Sequence, residues 1–421
     1  MPESTSPSRT ADQFPEAAPA RPYIGGQAVL EGVMMRAPSS LAIVVRRRDG
    51  SLHVRERAMA DGRKGIAKLP FLRGMASLGE SLRLGSEALR FSAEQMERDL
   101  EAEEAEAKAK ATSKSSGVGT MMLSVLRSIG YTLFLLTTAD ADTAGDAKTP
   151  SSEPRKGELI VEAPKEEKKG SRAPMTLMVI LMVGFMIALP QAAAAGINRV
   201  LGLGLDIQSP GFQALTGGFK LAIVVGYLLL VRNAFADIRR VFQYHGAEHK
   251  TITTYEAKEP LTVESARAKT TLHPRCGTTF LVMVAMVSIL VFTAVGGFLP
   301  KIQTGNAALD NVIFFLEKLP FLPLIAGVTF EIQRIFARWC TTGPLRVLLW
   351  PGFLCQKITT IEPDDDQLEV ALASLRATLF RETGEDTKAG GDVRYASFDA
   401  LMSSPRLRRA ARVAGQSSQP E

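Results

Sequence analysis

The chain is poor in the residues that carry most protein chemistry. Its 421 residues include only four histidines, three cysteines and two tryptophans. The cysteines have no paired spacing, which excludes a disulfide framework, and reduced thiols are expected where they fall. A net charge of +6 gives no basis for a nucleic-acid partner, and none is expected. Met1 to Arg21 lacks the apolar core of a signal peptide, so 1–22 reads as a disordered tail.

Glycine and long apolar runs are present instead. Tyr23 to Met59 has closely spaced glycines and two β-prone stretches joined by Asp49-Gly50, a hairpin signal. No Gly-Lys-Ser/Thr follows Gly25, Gly26 and Gly32, which excludes a P-loop. Phe71, Met75, Leu78, Leu82 and Leu89 recur at near-helical spacing, so 23–95 is expected to be a Gly-rich cytosolic α+β unit. Residues 96–173 read as a charged low-complexity linker, in which Glu94 to Lys114, polar all round, is a solvated helix or disordered. Within it, 118–138 is apolar but has Arg127 at its centre, so an interfacial helix is expected there rather than a span.

Four apolar stretches follow at membrane-spanning length: Pro174 to Ala195, Phe212 to Val231, Thr278 to Leu299 and Val312 to Phe336. Lys and Arg concentrate in Arg232 to Gly277 and after the fourth stretch, whereas Gly196 to Gly211 holds only Arg199 and Pro300 to Asn311 only Lys301. The positive-inside rule then places both termini and the 232–277 loop in the cytosol. The expected fold is mainly α: a polytopic α-helical membrane protein with about four transmembrane helices (174–336) and a small α+β cytosolic cap. Residues 337–382 are expected to hold an interfacial segment and a C-terminal amphipathic helix. The helix would start near Pro363, where an acidic run suits its N-terminal dipole. Residues 383–421 read as a disordered basic tail.

The chemistry concentrates in the 232–277 loop. If the second span continues as a helix past Arg232, His245 and His249 lie four apart on one stripe, a spacing that lets two imidazoles share a metal. Glu248 completes His-x-x-Glu-His, the inverted zincin pattern, in which the carboxylate is the general base towards a metal-activated water. His273 and Cys276 open the third span and can approach the pair as further ligands. Arg275 beside a helix N-terminus favours an anion. Three readings stay open: a divalent metal such as zinc, a structural polar cluster, and metal-free anion binding. Cys276 as nucleophile lacks an assigned base. Glu331, a carboxylate within the fourth span, is a functional candidate by position.

Several runs resemble the YqhQ family of bacterial membrane proteins. They are Gly25-Gly-Gln-Ala-Val-Leu-Glu-Gly-Val-Met-Met35, Pro70-Phe-Leu-Arg-Gly74, Val241-Phe-Gln-Tyr-His-Gly-Ala-Glu-His-Lys250, Arg275-Cys-Gly277, Phe330-Glu331 and Thr359 to Ala371. The likeness covers most of Tyr23 to Leu379; Glu94 to Arg172 and the tail after Glu382 look like expansions. The resemblance implies a domain of unknown function, in part labelled a predicted metal-dependent enzyme, and so a metal at the positions above. The expectation is therefore an inner-membrane, metal-dependent hydrolase-type enzyme at the cytosolic face. His245, His249, His273 and Cys276 would serve the metal and Glu248 would be the base. Glu31, Arg36, Arg275 and Glu331 would bind substrate, an anionic small molecule or lipid head group. The alternative is a non-enzymatic transporter or biogenesis scaffold using the same cluster.

Overall fold

A computed structural model describes residues 21–59, 72–110, 159–160, 189–300, 302, 304–340, 343–382, 391–404 and 407. It is mainly helical, with one antiparallel sheet. Strands β1 (Gly25–Val29), β2 (Gly32–Arg36), β3 (Ser40–Arg46) and β4 (Leu52–Ala58) form a meander. Beyond β4 lie β6 (Gly391–Tyr395) and then β5 (Leu159–Ile160). The Asp49-Gly50 hairpin is where the sequence puts it: β3 and β4 pair from Ser40↔Ala58 to Arg46↔Leu52, and Gly50 takes the left-handed φ of 83°.

Strand β3 explains why the sheet needs two cover layers. Ala42 and Val44 join one apolar cluster, and Leu41, Ile43 and Val45 join another on the opposite face, following the two-residue strand repeat. Helix α1 (Leu72–Lys110) covers the second face through Leu84, Ala88, Leu89 and Phe91. The first face carries α3 (Ala236–Glu256) and α9 (Asp365–Glu382), whose Leu368, Leu372 and Leu375 are fully buried. The acidic start of α9 is tied down by ion pairs: Asp365 to Arg267 at the end of the short α4 (Val263–Arg267), and Asp366 and Glu369 to Arg46.

Helix α1 continues past residue 95 to Lys110, so the charged stretch begins as helix, while Phe91, Ser92 and Gln95 are buried on its sheet side. One expectation needs correction. The tail after 383 is not structureless throughout: β6 pairs with β4 from Leu52↔Tyr395 to Glu56↔Gly391, and α10 (Phe398–Met402) buries Leu401. Arg55 gripping Asp392 (2.6 Å) and Val54 facing Val393 give β6 its place, a pairing that basic composition alone hides.

Among the described residues, two helices are long and apolar enough to cross a membrane: α2 (Pro210–Ala234), and α5 (Gly277–Val295) with the 3-10 turn that continues it to Phe298. At 25 residues, α2 is about 37 Å long against a hydrocarbon core of about 30 Å. The expected fourth span is a broken pair, α6 (Ala307–Lys318) and α7 (Phe321–Trp339), bent by 46°. Pro320, the N-cap of α7, has no N–H to continue the helix. Two or three spans are thus described. The expected first span lies mostly outside the described residues, which are helical at 189–200, and 118–138 lies wholly outside them.

Candidate functional site

Helix α2 does not continue unbroken into the histidines. Phe235 leaves helical geometry (φ −121°, ψ 111°), caps α2 and starts α3 in a new direction. This corrects the single continuous helix expected past Arg232. Helix α3 then packs on the sheet beside α9, with Tyr244, Ala247 and Ile252 in the core. That packing turns its other side, carrying His245 and His249, towards Cys276, the N-cap of α5.

The ligand atoms of His245, His249 and Cys276 all lie within 4.8 Å of one another. His245 Nε2 is 3.2 Å from Cys276 Sγ, and the two imidazole centroids are 4.5 Å apart. Each imidazole is fixed from behind. His245 Nδ1 donates to the carbonyl of Thr359 (2.9 Å), and His249 Nδ1 donates to the carbonyl of Thr271. A carbonyl only accepts, so both Nδ1 atoms carry a proton and each ring turns its Nε2 towards the cluster. His249 is 1% exposed, and its Nε2 is buried without a hydrogen-bond partner among the described residues.

The surrounding groups are poised. Burial pushes the Glu248 carboxyl up to about 8, against the pull of His245. Burial lowers His249 and His273. Burial alone would raise the Cys276 thiol, but His245 and His249 hold it well below its usual range. For His245, burial works downward and is outweighed by Cys276, which brings the ring up to about 9.

Two glycines set the clearances. A Cβ on Gly26 of β1 would meet the Glu248 carboxylate at 2.8 Å, so the first strand lies directly on that side chain. A Cβ on Gly246 would sit 2.2 Å from the Ile361 carbonyl. Gly246 therefore lets the 359–361 backbone close on α3, where Ile361 N bonds Phe242 O (2.9 Å) and Thr359 O orients His245.

The other predicted residues are distributed around this centre. His273 stacks 5.6 Å from His249, but its Nε2 faces Glu256 (3.4 Å) and it stands outside the three-ligand group. Arg275 pairs with the same Glu256 and lies over the Tyr23 ring at 4.6 Å. Glu31, at the β1–β2 turn with φ 51°, is gripped by Arg240 and accepts from Tyr244 (3.2 Å). Arg36 reaches Glu80 at 3.7 Å. Glu331 is half-buried in α7, two residues before Gln333, which donates to the Cys276 carbonyl at 3.2 Å.

Sequence reasoning passed over Gln356. It bonds both N–H and C=O of His273 at 2.8 Å and Thr279 Oγ1 at 2.6 Å, locking α8 (Trp350–Thr359) to the start of α5. An amide within an otherwise apolar stretch is the signal that marked it.

A family model described as a protein of unknown function, DUF1385, matches residues 69–381. The chain belongs to this family. The matched region holds all of the His–Cys cluster and leaves out the four-strand meander that roofs Glu248. The chain is also 29% identical over 360 residues to the uncharacterized protein YqhQ of Bacillus subtilis (strain 168), covering 85% of this chain and 92% of that one. No solved structure matches this DUF1385 chain.

Proposed function

We propose that this DUF1385 protein is a multi-pass inner-membrane protein, with four spans and both termini cytosolic, that carries a metal-dependent, hydrolase-type centre at the cytosolic membrane face. The carrying observation is the convergence of three potential ligand atoms. His245 Nε2, His249 Nε2 and Cys276 Sγ meet with both Nδ1 protons spent on backbone carbonyls. A His–Cys pair alone is satisfied by one shared proton, but the buried Nε2 of His249 is then left without a donor. A cation answers all three, and this donor set suits a zinc-like ion with a further position open. Such an ion supplies Lewis-acid polarisation of a substrate oxygen.

The remaining roles fall to the chain itself. Glu248, beside His249 and roofed by Gly26, takes a proton from the attacking water and returns it to the leaving group. Arg275 exchanges Glu256 for the anionic group of the substrate. Glu31 and Arg36, each held by an ion pair, keep the strands over the site, and Glu331 lines its membrane side. His273 and Gln356 hold the mouth of α5 in place.

A second reading has its own support: Cys276 as a nucleophile, with His245 at 3.2 Å as the base that the sequence left unassigned. Metal analysis of purified wild type and His249→Ala protein separates the two. Near-stoichiometric metal in wild type and its loss in the variant support the metal centre. Equally little metal in both removes it and leaves the Cys–His pair, or a scaffold built on the same contacts.

A further inference from the structure

A second polar feature lies within the apolar helices. Lys220 sits about 15 Å along α2 from Pro210 and about 21 Å from the Ala234 end that leads to the His–Cys cluster. Helix α6 ends on Lys318, whose Nζ donates to Gln213 Oε1 at 2.6 Å. Gln213 and Lys220 are two turns apart on one face of α2. Gly217 on that face marks the closest approach to α5, since a Cβ there would meet Ile289 Cγ1 at 2.4 Å. The face is thus turned into the helix bundle, where an ammonium group is costly to hold.

Neither lysine has a carboxylate partner among the described residues. Lys318 rests over the faces of Phe314 and Phe292, at 4.2 and 5.3 Å, with Gln213 as its hydrogen-bond acceptor. Lys220 makes no hydrogen bond or ion pair with any described residue, and it stands two turns, about 10 Å, along the same face of α2 from Gln213, the residue that holds Lys318. Two like charges brought together in an apolar bundle are offset by an anion between them. Two ammonium groups offer several donors to one multi-oxygen acceptor, which suits phosphate. Leu309, Val312 and Leu316 on α6 are exposed and apolar, a surface on which acyl chains can lie.

We propose that Lys220 and Lys318 form an anion site that takes a phosphate group, supplied by an anionic phospholipid or by a soluble phosphate ester. It is separate from the His–Cys cluster and does not depend on the metal reading.

The test is thermal unfolding of the full-length protein in detergent, titrated with phosphatidylglycerol, phosphatidylcholine or inorganic phosphate. Wild type is expected to be stabilised by phosphatidylglycerol but not phosphatidylcholine if the source is lipid, and by inorganic phosphate if it is soluble. Lys220→Gln should weaken the effect about tenfold, and Lys220→Arg should keep it. No selective stabilisation of wild type by either phosphatidylglycerol or phosphate, or an unchanged response in Lys220→Gln, overturns the proposal. The wild-type comparison decides even if a variant does not fold.

Discussion

His245 Nε2 lies 3.2 Å from Cys276 Sγ, although 31 residues separate them in the chain. The contact exists because the break at Phe235 redirects α3 over the mouth of α5, and because Thr359 holds the imidazole from behind. The consequences can be tested one residue at a time.

The clearance at Gly246 is the most local of them. Gly246→Ala puts a methyl group 2.2 Å from the Ile361 carbonyl and forces the 359–361 backbone away from α3. Overpacking of this kind costs about 1–3 kcal/mol. The variant should melt lower than wild type and bind metal more weakly, because Thr359 no longer orients His245. Unchanged metal affinity would show that this carbonyl does not set the imidazole.

Gly26 and Glu248 should behave as a pair. Gly26→Ala displaces the Glu248 carboxylate, so its functional loss should resemble that of Glu248→Gln, with metal content kept in both. Genetic complementation alongside metal analysis checks this. Full complementation by Glu248→Gln would point to a scaffold or transporter.

The sheet unit should depend on a buried ion pair. Arg381 Nε meets Glu56 Oε2 at 3.1 Å, with side chains 2% and 8% exposed. Arg381→Met takes this buried partner from Glu56 and should destabilise by up to about 3–5 kcal/mol, whereas Arg381→Met with Glu56→Leu should cost less. A denaturation series on the two variants checks the order.

A pH effect should arise far from the cluster. Burial, reinforced by Arg47, Arg394 and Arg98, lowers His53 from 6.5 to about 4, against a smaller opposing pull from Asp392. The folded state therefore keeps this imidazole neutral where the unfolded chain would protonate it. Its stabilising contribution is full above pH 6.5 and is lost progressively as pH falls towards 4. His53→Phe should flatten the melting temperature over that window, and an undiminished slope would assign it to other groups.

Much of this was legible in the residues, for reasons that explain what was not. The Asp49-Gly50 hairpin and the apolar runs of α2 and α5 are local signals, and local signals survive in a sequence. The grouping of His245 and His249 is also local, four residues on one helix. Cys276 joining them, and His273 turning instead to Glu256, depend on how separate elements pack. Gln356, Thr359 and Gly26 act through backbone atoms or through the room they leave, which residue type does not advertise. The strand at 391–395 was hidden because its partner, β4, lies more than three hundred residues earlier (Arg55 and Asp392 are 337 apart).

The central claim is that His245, His249 and Cys276 hold one metal ion together. Cobalt(II) substitution of the purified protein tests it most directly, because a cysteine ligand gives a sulfur-to-cobalt charge-transfer band. The account predicts that band in wild type, its loss in Cys276→Ser with cobalt still bound weakly, and loss of cobalt in the variant lacking both histidines. Cobalt that binds without the band, or binds equally well when all three residues are replaced, would contradict it.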